Sequence, residues 1–490
     1  MQISEISYGG PMIMSSIPDL QLISIIITSI ISLISSSVIL FHVTYYWIGR
    51  LKSRGEKLFL REIDSYPLVT VIVPIRNEPL DIIVRLLRSL VNQSYPKDKI
   101  EVIIVSDDKE DYFREISSRI LDFSRKSGLM VKVFRRRRAV GFKAGALNYA
   151  LHRSRGKYVV VFDVDAVPQP NYLKSVVSYM EFNGDVDGLA VKWAPLNKDS
   201  SPISEAQAVS LNFLTSIFFD GRSSVNGPII APGCGCVYRR NTLLEVGGWN
   251  ESCLAEDVEL SIKLLIRGGR IGYIDNTFVE VENPETYEAF KKQQARWIYG
   301  TTQVLSRYFF KIITSRIPLV WKLDLILYLF QYHVLLANFV FIALALASIL
   351  VGIDLLLPSV YFSPLLLTLS ALQALSYYNT ARRLGFNPFE SVVVMGRCTA
   401  MAAVLAPTVL LQNVKLLIRW REGWYITPKG PLARRVRGKS SNMLESLLAT
   451  SGILIGVMLL IFGLPISASC IFTFSIPYAY VSWKTSKGIW

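Results

Sequence analysis

Long apolar runs lie in both halves of the chain, and the stretch 65–304 between them contains none of spanning length. The first run covers 21–48; the others fall at 325–352, 358–378, 389–414, 445–464 and 466–484. A run of about 20 apolar residues matches the hydrocarbon thickness of a bilayer. A chain patterned this way folds as a water-soluble unit inserted between membrane helices. Its composition agrees, with 51% hydrophobic and only 19% charged residues over 490 positions.

Charge sets the expected topology. No Lys or Arg precedes the first run, so it lacks the basic start of a signal peptide, whereas Arg50, Lys52, Arg54, Lys57 and Arg61 follow it. The positive-inside rule then places 1–20 outside, 21–48 as the first span and the following unit in the cytosol of a multi-pass cell-membrane protein. Arg382 and Arg383 follow the run 358–378, and the basic stretch Lys415 to Lys439 follows 389–414. Both ends of 389–414 are therefore expected on the cytosolic side. With Arg397 and Pro407 inside it, this segment reads as an interfacial or re-entrant helix. The segment 305–323, carrying Arg307, Lys311, Arg316 and Lys322, reads as a second interfacial helix. Two spans are expected within 325–378 and two within 445–484, making five in all.

The net charge of +15 is thus spread over membrane-flanking loops, and no nucleic-acid-reading module accompanies it. Five cysteines, Cys234, Cys236, Cys253, Cys398 and Cys470, are too few and too irregular for a disulfide framework and read as reduced thiols.

Within 65–304 short β-branched runs (Val69–Val73, Val102–Val105, Tyr158–Phe162) alternate with helical patterns such as Leu80–Val91 and Ala144–His152. Strand–helix–strand alternation predicts an α/β unit with a mostly parallel sheet and ligands at the carboxyl ends of the strands. Chemistry-bearing residues stand at those ends. Asp163 and Asp165 leave the apolar strand Tyr158–Phe162, as oxygen ligands suited to Mg²⁺ or Mn²⁺ shared with substrate phosphates. Asp107 and Asp108 end the strand before, either capping a loop or contacting the base or ribose of a nucleotide. Gly141-Phe142-Lys143 opens a helix, an anion-favouring position at which Lys143 adds charge beside a diphosphate. The neighbouring run Arg135 to Arg138 reads as a solvated face. Glu256 and Asp257 sit at a helix start, either as helix-favouring acids or with one of them as general base. Gln293-x-x-Arg296-Trp297 is either an amphipathic helix at the membrane interface or a phosphate-pairing Arg with a sugar-stacking Trp.

Taken in order, these pieces resemble family 2 glycosyltransferases of the cellulose-synthase-like, often processive branch, over about residues 65–440. Val71-Ile72-Val73-Pro74-Ile75-Arg76-Asn77-Glu78 is similar to that family's first strand and nucleotide loop. Pro232-Gly233-Cys234-Gly235 is similar to its acceptor segment, and Trp424-Tyr425-Ile426-Thr427-Pro428-Lys429-Gly430 resembles its gating loop. The resemblance implies a GT-A fold (a Rossmann-like mixed sheet), a nucleotide-diphosphate sugar donor and inversion at the anomeric carbon. It implies Asp257, beside Glu256, as the base, and Asp163 and Asp165 as ligands of Mg²⁺ or Mn²⁺. Asn77, Glu78, Asp107, Asp108, Lys143, Asp163, Gln293, Arg296, Thr427 and Lys429 would hold the donor, and Cys234, Gly235 and Trp297 the acceptor. The Cys234 segment lacks the aromatic pair of cellulose synthases, so a mannan, a glucan, an aminosugar polymer and a glycolipid all stay open as products. Two other readings compete: a non-processive enzyme making a glycolipid or polyprenyl-phosphate sugar, and a transporter with a nucleotide-binding regulatory domain. Accessory subunits are not indicated either way.

Overall fold

The structure, a computed structural model, describes residues 18–52, 63–349, 355–356, 358–420, 442–488 and 490. A single helix, α1 (Pro18–Lys52), leads into the α/β unit, whose first elements alternate as β1 (Val69–Ile75), α2 (Leu80–Val91), β2 (Ile100–Ser106), α3 (Glu110–Ser127), β3 (Met130–Arg135), α4 (Phe142–Leu151) and β4 (Tyr158–Val161). The side-chain period of 2 sorts the two central strands between two cores. Val69, Val71, Val73 and Ile75 of β1 join Ile100, Val102 and Ile104 of β2 on one face, under Ile82, Ile83, Leu86 and Leu87 of α2. Ile72, Ile103 and Val105 face the other way, under Ala144, Leu147, Ala150 and Leu151 of α4. Strands covered on both faces become nearly continuous apolar runs, and each buried Val, Leu or Ile contributes about 1.5–3 kcal/mol.

The second half of the sheet adds β5 (Val167–Pro168), α5 (Tyr172–Phe182), β6 (Gly188–Pro195), α6 (Pro202–Thr215), a π-helical turn (Ser216–Gly221), β7 (Cys236–Arg239), α7 (Arg240–Glu245), α8 (Glu256–Ile266) and β8 (Ile271–Val281). The order is β3-β2-β1-β4-β7-β6-β8-β5. β1 pairs parallel with β2 and β4, and β6 with β8, but β7 runs antiparallel to both β4 and β6 and β5 runs antiparallel to β8. The sheet is therefore mixed, as the family resemblance implied, with most of its pairings parallel. β7 enters from the carboxyl end of β4, Cys236 opposite Val161, so the chain just before it lies beside the residues that leave β4.

One charge is buried inside this sheet. Glu101 of β2 is fully buried and accepts from Thr70 Oγ1 and Lys132 Nζ, both at 2.7 Å, and from Arg155 N and Nε, both at 3.0 Å. It joins β1, β2, β3 and the turn before β4.

A continuous helix, α9 (Tyr287–Thr314), follows the sheet, capped by Thr286 Oγ1, which accepts from Ala289 N at 3.3 Å. The expected boundary at 304, with a separate interfacial helix over 305–323, is thus not a break. No Gly or Pro interrupts the pattern between Thr302 and Thr314, and Val304, Tyr308 and Ile312 pack with Ile262 and Leu265 of α8. Next come α10 (Leu319–Phe330) and α11 (His333–Ile349), bent by 59° at their junction, where a single run 325–352 was expected.

Among the described residues four helices are long and apolar enough to cross a membrane, Leu22–Lys52, Ser359–Arg383, Pro388–Leu417 and Met443–Ile461, or five if α10 and α11 make one broken span. Pro465–Ser486 is not among them, because its serines, prolines and tyrosines dilute the apolar run. It packs against Met443–Ile461 where Gly456 admits the ring of Phe472: a Cβ there would lie 2.5 Å from it. α12 (Ser359–Arg383) ends at the turn of Gly385, after which α13 (Pro388–Ala403) and α14 (Ala406–Leu417) together make up Pro388–Leu417, and α13 lies on α6 of the α/β unit. Its Arg397 pairs with Glu205, and Cys398 Sγ meets Ala206 O at 3.2 Å, which accounts for a cation inside an otherwise apolar run.

Burial alone would raise the Glu101 pKa, but its hydrogen bonds from Lys132, Thr70 and Arg155 overcome this and hold the carboxyl down to about 2. The folded value lies below the unfolded one, so the stabilisation is present above about 4.5 and is lost as pH falls toward about 2. Melting curves of the wild type and Glu101→Gln should differ by a constant amount at neutral pH and converge across that acidic window.

Candidate active site

The carboxyl ends of β1, β2 and β4 converge, and short loops fix their last residues. Asn77, beyond β1, adopts φ 54°, a left-handed conformation that Asn tolerates better than most residues. Its N–H donates to Asp108 Oδ1, while Asp108 Oδ2 accepts from Ser106 Oγ at 2.7 Å. Asp108 is buried and spends both oxygens on this loop. Asp107 turns the other way and takes a two-pronged bond from Arg136, Nε to Oδ1 at 2.7 Å and Nη2 to Oδ2 at 2.5 Å. Arg136 also donates to Val140 O and Phe142 O, at 2.8 and 2.9 Å, pinning the entry to α4. It belongs to the arginine run expected to be solvated, yet is buried. Nothing in four consecutive arginines marks the second as the partner of Asp107.

α4 begins at Gly141, φ 73°, where a Cβ would meet the Glu251 side chain at 2.6 Å. This start aims Lys143 at the exit of β4. Lys143 Nζ lies 2.8 Å from Asp163 Oδ1, 3.1 Å from Gly233 O and 3.5 Å from Glu256 Oε1. Gly233 comes from the segment that enters β7. A Cβ on it would stand 2.9 Å from Asp257 Oδ2 and 3.0 Å from Lys143 Nζ, so a glycine lets the two charged groups close over the backbone. Asp257 Oδ1 is already engaged, accepting from Val258 N at 2.8 Å in the first turn of α8, which leaves Oδ2 toward Gly233. Burial would lower the Lys143 pKa, but the carboxylates of Asp163, Glu256 and Asp257 hold it well above the ordinary lysine range. Glu256 moves upward, to about 7, because burial outweighs the pull of Lys143 and the Asp257 charge adds to it.

These groups line one cavity of about 330 Å³. Of the residues singled out in the sequence, Glu78, Asp107, Lys143, Asp163, Asp165, Cys234, Glu256, Asp257, Gln293, Arg296 and Trp297 reach it. Asn77 and Asp108 stand behind its wall. Gly235 sits beneath, its φ of 69° and the close approach of Val279 requiring glycine. Thr427 and Lys429 lie outside the described residues. Cys234 is buried, with its Sγ 3.4 Å from Asp163 N, so it supports the β4 exit. Gln293 Oε1 is buried without a hydrogen-bond partner among the described residues, an acceptor left for something in the cavity.

Sequence reading missed a second group of wall residues. Trp193 of β6 lines the cavity and donates from Nε1 to Cys234 O at 2.9 Å. Phe218 and Phe219 of the π-helical turn and Tyr328, Gln331 and Tyr332 at and just past the end of α10 also line the cavity. Aromatic residues in apolar stretches carry no local mark of a site.

The donor set accepts a divalent cation. Asp163 and Asp165 both face the cavity at a strand exit, with Asp163 40% exposed. Among the described residues no three metal-binding side chains converge. Two carboxylates alone suit Mg²⁺ or Mn²⁺, which commonly complete their shells with substrate phosphates and water.

Comparison with known proteins agrees with this geometry. The profile described as glycosyl transferase family group 2 matches residues 158–369. A probable glycosyltransferase from Sulfolobus acidocaldarius is 30% identical over 457 residues, 92% of this chain and 92% of that protein. Glucomannan 4-beta-mannosyltransferase 2 of Arabidopsis thaliana is 26% identical over 271 residues, covering 55% of this chain and 51% of that protein. Among solved structures, the mannosyltransferase PcManGT from Pyrobaculum calidifontis, in complex with GDP-Man and Mn²⁺, aligns with a TM-score of 0.54 at 19% identity, over 81% of this chain and 100% of that one. This likeness shows the GT-A fold.

Lys143→Met removes an ammonium that faces Asp163 and Glu256 together, and should cost about 3 kcal/mol at neutral pH. The loss should shrink toward about pH 5 as the abandoned carboxylates take up protons. Thermal melts of both proteins across that range measure it.

Proposed function

The chain belongs to the family 2 glycosyltransferases, and we propose that it transfers mannose from GDP-mannose to a growing β-1,4-linked polysaccharide at a membrane. The observation that carries this reading is the meeting of Lys143, Asp163, Glu256 and Asp257 around Gly233, in the cavity that Gln293, Arg296 and Trp297 also line. The choice of sugar follows the names of relatives: two mannosyltransferases, one of them bound to GDP-Man and Mn²⁺.

In this mechanism Asp257 Oδ2 takes the proton of the acceptor hydroxyl as that oxygen attacks the anomeric carbon, and the nucleotide diphosphate leaves from the opposite face. Lys143 and Arg296 stand where negative charge grows on the leaving group. Asp107 and Glu78 line the nucleotide end of the cavity, and Trp297 offers a face on which a sugar ring stacks. A divalent ion held by Asp163 and Asp165 would neutralise diphosphate charge. Glu256, buried behind Lys143, keeps that ammonium in place.

The unit 65–304 faces the cytosol in this account, with the basic segments beside the apolar helices holding it at the inner surface of the cell membrane. The segment 389–414 lies along that surface, with its Arg397 paired to Glu205 of the α/β unit. Elongation is processive, with the product leaving toward the membrane helices. Supporting this is the shared wall of the cavity, to which α10 contributes Tyr328.

Purified protein in lipid, given GDP-mannose or UDP-linked sugars with Mn²⁺ or Mg²⁺, should release GDP from GDP-mannose alone and yield a ladder of products. A single lipid-sized product would instead support the glycolipid reading, and turnover of a UDP-sugar would displace mannose. Asp257→Asn should lower transfer by about 10²–10⁴-fold while GDP binding is retained. Chelation of divalent ions should stop turnover, and added Mn²⁺ should restore it.

A further inference from the structure

Behind two aromatic residues of the cavity wall lies an ion pair that sequence patterning did not single out. Arg222, just past the π-helical turn, is fully buried and bonds through Nη2 to Asp324 of α10, itself 3% exposed. Asp324 Oδ2 accepts from Tyr45 of α1 at 2.6 Å. Three segments far apart in sequence therefore meet at one carboxylate: the first membrane-spanning helix, the α/β unit and the helix that leads back into the membrane.

The guanidinium is poorly served by hydrogen bonds. Its Nε and Nη1 are buried with no partner among the described residues. Rings stand in their place, with the Arg222 guanidinium carbon 5.0 Å from the ring centres of both Phe218 and Tyr328 and 5.9 Å from that of Phe41. Phe218 and Tyr328 also meet edge to face, 4.9 Å between centres. Both rings line the cavity, and Arg222 does not. A desolvated cation on ring faces is a strong and directional contact. It fixes the two rings from behind, where an apolar side chain would let them turn.

On the glycosyl-transfer reading, on which this inference rests, the carboxylate end of the cavity takes the nucleotide sugar and its metal. The ring-lined part of the wall suits the acceptor, since sugar rings stack on aromatic faces. We propose that Arg222 is a positioning residue for the acceptor saccharide: through its rings it sets the wall that Phe218 and Tyr328 present, and through Asp324 and Tyr45 it keeps that wall aligned with the membrane helices.

The test uses the full chain in lipid nanodiscs, with GDP-mannose as donor and β-1,4-linked mannohexaose as acceptor probe. Arg222→Met alone strands Asp324 and risks misfolding, so the informative variant is Arg222→Met with Asp324→Leu, which removes both charges together. Arg222→Lys keeps the charge but loses the planar face. The double variant should show an acceptor KM raised about tenfold, with GDP affinity within about twofold of wild type. Arg222→Lys should fall between the two while melting like the wild type. An unchanged acceptor KM in the double variant would overturn the proposal, and so would a parallel loss of GDP affinity, which would mark the pair as general scaffolding. Failure of the wild type to use GDP-mannose with any acceptor would instead defeat the transfer reading, and the inference with it.

Discussion

A buried ammonium cannot stand alone in a protein interior, and the site of this protein is arranged around that constraint. Lys143 is 10% exposed and lies against Asp163, Glu256 and the carbonyl of Gly233. Each partner comes from a different element: the exit of β4, the first turn of α8 and the strand entering β7. Neutralising one charge therefore brings three remote segments to one point. The carboxylates outnumber the cation there, which leaves the cluster net negative and receptive to a divalent ion with a bound diphosphate.

The mixed sheet is what makes this possible. In an all-parallel sheet the chain would leave β4 and return through a crossover, and the segment before the next strand would lie at the far end. Here β7 starts opposite Val161, so Gly233 and Cys234 lie next to Asp163. Glycine at 233 then allows Lys143 and Asp257 to approach the backbone from either side. Behind the wall, Asp108 and Arg136 tighten the loops after β1 and before α4, and neither reaches the cavity through its side chain as described.

What could be read from the residues follows the range of the interactions involved. Strand ends with acidic residues, the Gly141-Phe142-Lys143 helix start and the Gln293-x-x-Arg296-Trp297 set are local patterns, and the structure places them around one cavity. Arg136 could not be told from its three neighbours, because its role depends on Asp107, which lies in another loop. Trp193, Tyr328 and Arg222 were equally unmarked, since each sits in a stretch whose pattern reads as ordinary core or membrane helix. Strand–helix alternation marked the parallel part of the sheet, and the place of the antiparallel β7 went unmarked because a four-residue strand after a Gly-rich segment gives little periodicity. The run to Thr314 in α9 was divided too early, since charge among aromatics suggested an interface where packing on α8 continues the helix.

Where the α/β unit meets the apolar helices the same rule recurs, in the buried pair Arg222–Asp324 and in the buried carboxylate of Glu445, which lies 2.5 Å from the partly exposed Lys291. These pairs bind the helices to the catalytic unit more specifically than apolar packing would, because a misplaced helix would leave a charge unpaired. We propose a single displacement at the anomeric carbon with Asp257 as base, and the configuration of the new linkage decides it. Proton NMR of the oligosaccharide made from the α-configured donor GDP-mannose should show a β-linked mannose. An α-linked product would rule out that single displacement, because retention requires a second one.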